Sequence, residues 1–310
     1  MSTPDVTVVL AMRNRADALP MALAHLEQQT YPAGRFEILV ADRGSTDDSV
    51  AVLKRYAAGA PVPTRFLTLE QVSPGAARNR AVEEAHGEIV LFLDEDVLAG
   101  PGLVENHMRL QEARKNQCAS IGKVTLHPQI NPGTFTRWQE LLAEIRHFDG
   151  QPLRFPDWRA CNLAVPRTSL VKVRGFDEDH EGHGLEDVEL AWRLENLPLQ
   201  GFYAENAAAY LWRAVSIDAE ITRFYLQGYS ILRVLERTGS KTLRLRYERL
   251  LSQRAISINR LVAPMCRFIS TNLAHDTAAF QFTCRRTLEQ AFAQGYRDAR
   301  AGRPPRFTAA

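Results

Sequence analysis

The chain of 310 residues has little that would staple or anchor it. Its four cysteines, Cys118, Cys161, Cys266 and Cys284, are scattered and form no CxxC pair. That argues against a disulfide framework or a zinc knuckle, and for reduced thiols packed in a core. No uncharged apolar run reaches the ~18 residues of a membrane span. The opening MSTPDVTVVL shows no basic segment ahead of an apolar core, so no signal peptide is expected. The expected location is cytoplasmic, with contact at the inner face of a membrane as the one further option. Three phosphate and nucleophile loops are also missing. There is no GxxxxGK[ST] cradle, no GxGxxG after the first strand and no GxSxG elbow. A P-loop, an ordinary dinucleotide site and a serine hydrolase are thereby set aside. Internal repeats and low-complexity tracts are absent too.

What remains is an ordinary globular composition, 45% hydrophobic and 24% charged, long enough for one large domain or two modest ones. The formal net charge of +2 is unevenly spread: from Lys241 onward thirteen Lys/Arg face only four Asp/Glu. A basic tail thus follows an acidic body, and such asymmetry suggests an acidic surface for the tail to meet.

Strands and helices alternate through the first hundred residues. VTVVLA (6–11), FEILVA (36–41), a segment near 65–69 and EIVLFL (88–93) read as strands. Between them, helices are expected over 16–29, through Val50, Leu53 and Tyr56, and over 75–86. In the second of these, Ser45 or Thr46 is the expected cap. The spacing predicts βαβ units and a parallel sheet. Further helices are expected near 102–115, 134–147 and 184–196, and further strands near 118–126, 160–165 and 201–212. From about Ile217 the pattern is helical to near Arg300, with Pro264 as a break.

In such sheets ligands sit beyond the carboxyl ends of the strands. Arg13–Asn14, Asp42 and Asp94-Glu95-Asp96 all follow strand ends and should gather on one rim. Three adjacent carboxylates repel, so protons or a cation must relieve them. Mg²⁺ takes one or two carboxylates and fills its shell with water and substrate phosphates. If the strand stays extended, Asp94 and Asp96 share a side and Glu95 points away. A solvated acidic turn is an equally good reading of DED alone.

Taken together, VVLAMRNR, EILVADRGSTDDS, PGAARNRAVEEAHGEIVLFLDEDV and RGFDEDHEGHGLEDVELAWRL resemble, in order, the motifs of the family 2 glycosyltransferases. The resemblance covers about residues 5–195. It implies a GT-A fold: an α/β, Rossmann-like, mixed but mainly parallel sheet flanked by helices, here with a helical C-terminal extension. The implied domains are a catalytic domain over 1–215, with a donor half of about 1–100 and an acceptor half of about 101–215, and a basic helical region over 216–310. The implied activity is inverting, metal-dependent transfer of a sugar from a nucleoside diphosphate, with UDP expected, to a hydroxyl acceptor, with Mn²⁺ or Mg²⁺ as cofactor.

By the same resemblance Asp42 would bind the base, and Arg78 the base or the diphosphate. Asp94 would contact ribose or metal, and Asp96 would be the direct metal ligand. Ala11, Arg13 and Glu95 would line the donor site. Asp187 would be the catalytic base, with Glu186 placing the acceptor. Trp192, Arg193, His183 and Trp212 fall on the acceptor side, although an ion pair from Arg193 to Glu189 at i,i+4 explains Arg193 equally well.

Three departures stand out. The family's Asp-Asp-Gly-Ser reads Asp42-Arg43-Gly44-Ser45. Its frequent proline and tyrosine are missing from Ala11-Met12-Arg13-Asn14. No histidine occupies Tyr210 to Arg213, where many relatives place a metal ligand. A non-catalytic nucleotide-sugar-binding or scaffold protein on a degenerate GT-A fold is therefore the alternative. A nucleotidyltransferase is a poorer match, since MRNRADAL is not a Gly-rich basic loop. The apolar positions Ile258, Leu261, Val262, Met265, Phe268 and Ile269 fit a helix packed on the body or in a homodimer. Membrane-surface docking is the second use of that tail. No recognition fold for nucleic acid accompanies the charge.

Overall fold

The computed structural model describes residues 3–130, 147–178, 184–251 and 278–307. The helix expected near 134–147 (its last residue apart), His183 and the 258–269 stripe with Pro264 lie outside the described residues. Those described form two compact units. One comprises residues 3–127, 147–178 and 187–213; the other holds 128–130, 184–186, 214–251 and 278–307.

The first unit is built on one sheet. Its strands are β1 (Val6–Met12), β2 (Phe36–Asp42), β3 (Thr64–Thr68), β4 (Ile89–Asp94), β5 (Val97–Ala99), β6 (Cys118–Leu126), β7 (Pro152–Leu153), β8 (Asn162–Pro166) and β9 (Gln200–Leu211). The order is β3-β2-β1-β4-β8-β6-β9-β5, with β7 on β9. The pairs among β3, β2, β1 and β4 are parallel, as is β6 with β9, whereas β8 and β5 run antiparallel to their neighbours. A mixed, mainly parallel sheet results.

β1 and β2 are buried at every position and β4 at all but its last residue. Strands covered on both faces need continuous Val, Ile and Leu rather than alternation, which is why these three are so plain in the sequence. Helices α1 (Leu19–Glu27), α2 (Ser49–Ala57), α3 (Pro74–Glu84), α4 (Leu103–Ala113) and α5 (Arg167–Lys172) belong to this unit, with most of α6 (Glu186–Asn196). Leu19, Leu23 and Leu26 of α1 enter the same core cluster as Val8, Leu10, Ile38 and Leu91. Each such burial contributes roughly 1.5–3 kcal/mol.

Two expectations are corrected here. Helix α2 begins at Ser49, with Asp48 at its N-cap, so neither Ser45 nor Thr46 caps it. The DED stretch is not extended either: Asp94 ends β4, and Glu95 and Asp96 form the turn into β5.

The polar interior of the β6–β8 half is self-contained. His107 on α4 is fully buried between Ser120 Oγ (2.6 Å) and Asn162 Oδ1 (2.8 Å). Asn162 Nδ2 donates to the Ala207 and Lys123 carbonyls, so its Oδ1 must accept. His107 therefore carries its proton on Nε2 and accepts from Ser120 at Nδ1. Burial pushes its pKa down to about 4, only partly opposed by the bond to Asn162.

In the second unit, α7 (Ile217–Thr238) packs on α9 (Ala278–Arg300), and α8 (Lys241–Leu251) joins them. The crossing is tight: a Cβ at Gly228 would lie 1.9 Å from the Phe292 carbonyl oxygen. Asp298, almost fully buried, accepts from Tyr225, Gln294, Arg303 and Arg306. Burial opposes its charge, yet the hydrogen bonds outweigh that and draw its carboxyl down to about 2. No helix of the described residues is long and apolar enough to cross a membrane.

Candidate active site

Register gathers the rim. Ala11 of β1 lies beside Ala41 of β2 and Asp94 of β4, and Met12 beside Asp42. The carboxyl ends of β1, β2 and β4 thus finish side by side. The two loops after β1 and β2 are clipped together. Asn14, at φ +53°, donates from its backbone N to Ser45 Oγ and accepts from the Thr46 N–H. The Arg15 and Ala16 N–H groups donate to Ser49 Oγ and Asp47. Asp42 is fully buried inside this clip and accepts from the Ser45 hydroxyl and backbone N–H. Its carboxylate organises the turn.

The three crowded carboxylates are relieved by three different arginines. Asp94 accepts from Arg78 Nη2 of α3 at 2.7 Å. Glu95 accepts from Arg15 at 3.2 Å and 3.3 Å. Asp96 is paired with Arg213, just beyond β9, and its carbonyl accepts from the Trp212 N–H. Two more guanidiniums flank the turn. Arg43 is only 7% exposed, donates a long bond of 3.4 Å to the Val72 carbonyl, and has a buried Nε without a partner. Arg13 is half-buried, and its Nε is likewise buried and unpartnered. Burial pushes the Arg43 guanidinium down; Glu95 opposes this, while Arg78, Arg13 and Arg15 add to it.

Cys161, just before β8, locates the other carboxylate. Burial pushes its thiol up, and the charges of Asp94, Asp187 and Asp96 push further, against Arg159. One half-buried sulfur therefore senses both ends of the acidic turn and the first turn of α6. Asp187 Oδ1 accepts from the Val188 N–H at 2.8 Å. Glu186 belongs to the second unit, where it accepts from the Gly184 N–H.

The AARN and RGFDE segments interlock. Asn79 Oδ1 accepts from the Phe176 N–H (2.7 Å), and its Nδ2 donates to the Phe176 carbonyl and Glu178. Gly175 turns there at φ +63°, and a Cβ on it would meet Asn79 Oδ1 at 2.1 Å. Arg78 lies over the Phe176 ring at 5.4 Å. Arg193 has a structural place rather than an acceptor-side one: it pairs with Glu189 and donates to the Val173 and Gly175 carbonyls, holding the same turn. Trp192 is half-exposed, and its carbonyl accepts from Asn196 Nδ2.

Trp212 packs edge-on against His127 at 4.6 Å, and His127 against Tyr210 at 5.8 Å. His127 follows β6, whose Leu126 is in register with Leu211 of β9. A histidine, missing from 210–213 itself, thus lies against that stretch from just beyond the adjacent strand. Arg15, Cys161, His127 and Arg213 were not singled out from sequence. Arg43 gave a signal, as the residue that breaks the Asp-Asp-Gly-Ser pattern.

The donor set suits a hard cation: Asp94 and Asp96 supply carboxylate oxygens at the two ends of one turn. Among the described residues no group of three His, Cys, Asp or Glu side chains is placed to hold a metal alone. That fits a cation that brings substrate phosphates as its remaining ligands.

Residues 7–161 match the family described as Glycosyl transferase family 2, and the chain belongs to that family. It is 28% identical over 218 residues to validoxylamine A glucosyltransferase of Streptomyces hygroscopicus subsp. jinggangensis, an alignment covering 62% of this chain and 51% of that protein. The chain thus spans about half the length of the validoxylamine A glucosyltransferases it matches. Among solved structures it resembles the mannosyltransferase PcManGT of Pyrobaculum calidifontis, in complex with GDP-Man and Mn²⁺. The TM-score is 0.66 at 18% identity, covering 98% of this chain and 89% of that one. It also resembles S. aureus TarS 1-349 in complex with UDP, with a TM-score of 0.54 at 16% identity over 98% and 94% of the two chains. The fold is GT-A.

Proposed function

We propose that this chain transfers a sugar from a nucleoside diphosphate to an acceptor hydroxyl, with inversion at the anomeric carbon. The observation that carries the reading is the rim itself: the carboxyl ends of β1, β2 and β4 finish side by side, with Asp94 and Asp96 at the two ends of the turn that follows β4. A hydroxyl attacks poorly until a base takes its proton, and Asp187 is the carboxylate for that role. A single displacement needs one base and no second nucleophile. Asp94 and Asp96 would hold a divalent cation, which supplies positive charge to the departing diphosphate. Arg78, set between Asp94 and the Phe176 ring, orients the donor from the other side of the turn. Ala11 forms the floor between Asp42 and Asp94, and Trp212 flanks the acceptor side.

The neighbours' ligands leave UDP-sugars and GDP-sugars as the two donor classes to try first. A thermal-shift screen of nucleotide sugars, with and without Mn²⁺, identifies the donor by occupancy; a ligand at 100 times its Kd stabilises by about 2.7 kcal/mol. A donor that stabilises and is then slowly hydrolysed, or transferred to an added acceptor, supports the reading. No shift with any nucleotide sugar removes it.

A second reading, a binding or scaffold protein on this fold, draws on Arg43 in place of an acid and on the arginine already paired with each carboxylate of the turn. Donor binding with no hydrolysis and no transfer would favour it.

A further inference from the structure

The rim carries more guanidinium than its carboxylates use. Arg15, Arg78 and Arg213 answer Glu95, Asp94 and Asp96 one for one. Arg13 and Arg43 are left over, and no carboxylate partners either among the described residues. Both stand where the family pattern has something uncharged or acidic: Arg43 at the second position of Asp-Asp-Gly-Ser, Arg13 in the stretch that usually holds a tyrosine.

The same unit supplies a control for what a structural arginine looks like. Arg193 makes four hydrogen bonds, two to the Glu189 carboxylate through Nε and Nη2 and two to carbonyls through Nη1, and its geometry is fully explained by them. Arg43 is more deeply buried than most arginines, yet shows one long bond and a buried Nε with nothing to donate to. Burying a charged donor unpaired is costly, and placing it within electrostatic range of Arg13, Arg15 and Arg78 raises the cost. Such a cluster is tolerable when an anion completes it. The anion needs several oxygens, because the unpartnered donors come from two separate loops. A multiply charged anion suits the cluster best, because neither Arg13 nor Arg43 has a carboxylate partner among the described residues. A diphosphate meets both demands, and guanidiniums are well matched to phosphate oxygens.

Resting on the donor chemistry proposed above, we infer that Arg13 and Arg43 bind the nucleotide's diphosphate directly, so that nucleoside diphosphate binds this chain without a divalent cation. The carboxylates of the turn do not repel it, since each is already matched by its own arginine. A cation then serves departure of the diphosphate and is not required for its capture.

Calorimetry on the full chain with UDP, GDP and inorganic pyrophosphate, each in EDTA and in Mn²⁺, tests this. The expected result is binding of pyrophosphate and of one nucleotide in EDTA, within about tenfold of the Mn²⁺ value and weakening as salt rises. Arg13→Ala and Arg43→Met should each weaken EDTA binding tenfold or more. Without ligand, Arg43→Met should melt no lower than the parent, because replacing a poorly paired buried charge by an apolar side chain of similar volume is often neutral or stabilising. Binding that appears only with Mn²⁺ would overturn the inference while leaving the transferase reading intact. So would Arg13→Ala binding as the parent does, nucleoside binding that depends on Arg43 while pyrophosphate fails to bind, or Arg43→Met melting lower with its EDTA binding unchanged. Failure of both nucleotides in both conditions, with no thermal shift from any other nucleotide sugar, would remove the transferase reading as well.

Discussion

Two groups of buried polar side chains lie in the same sheet-based unit and are built on opposite terms. At the carboxyl ends of β1, β2 and β4, charged groups crowd together, and two guanidinium nitrogens, on Arg13 and Arg43, are buried with nothing to donate to. Beneath the β6–β8 half, His107, Ser120 and Asn162 are neutral and close their bonds on one another and on backbone carbonyls. Burial alone does not separate a site from a scaffold, since Arg43 and His107 are both nearly or wholly buried. Between these two groups, completeness of pairing does. A satisfied network has nothing left to offer a ligand, and its energy goes into fixing the packing of α4 on the sheet. An incomplete one keeps its donors for something that arrives from outside.

Substitutions sharpen that contrast by separating activity from stability. Asp96→Asn should lower transfer on the order of 10³-fold or more while the melting temperature stays near that of the parent; full turnover in the presence of a chelator would remove the metal role. Asp187→Asn should slow transfer roughly 10²-fold or more and leave donor affinity in place, as read by calorimetry beside single-turnover rates. Unchanged turnover would remove Asp187 as the base.

On the scaffold side the signs reverse. Asn162→Ala leaves His107 Nε2 and two backbone carbonyls without their partner, and should cost about 2–4 kcal/mol in urea unfolding with nucleotide affinity in the surviving folded fraction unchanged. Gly175→Ala, forced into a left-handed backbone against Asn79, should cost about 1–3 kcal/mol.

A pH dependence reads the same network without a substitution at the sheet. His107 titrates near 4 when folded and near 6.5 when unfolded, so the unfolded chain binds the extra proton between those values. Stability from this group is full above pH 6.5 and falls as pH drops toward 4, by about 3 kcal/mol in all. His107→Gln should flatten that part of the curve; an unchanged slope would mean that another group causes it.

The sequence displayed the strands of the donor half almost to the residue. Continuous Val-Ile-Leu runs ending abruptly in Asp or Arg are what doubly covered parallel strands require. Three-residue β5 and two-residue β7 are too short to show any period, and the six-residue α5 follows Pro166 without a pattern of its own. At the site, the carboxylates were legible because they stand at strand ends. Their pairings with arginines were not, although Arg78 itself stood out in the AARN segment. Arg15, Arg78 and Arg213 lie 80, 16 and 117 residues from the acids they meet, and only the sheet order brings them together. The extended reading of DED failed because the chain reverses at Glu95–Asp96 to pair β5 with β9. A turn of that kind carries no glycine or proline to announce it.

A crystal grown with UDP or GDP and Mn²⁺ tests most directly whether this rim is the nucleotide site. The diphosphate should lie over the turn between β4 and β5, with Arg13 and Arg43 donating to its oxygens and Asp96 turned from Arg213 toward the cation. Nucleotide bound elsewhere on the chain, with all three arginine–carboxylate pairs of the turn intact, would contradict the account.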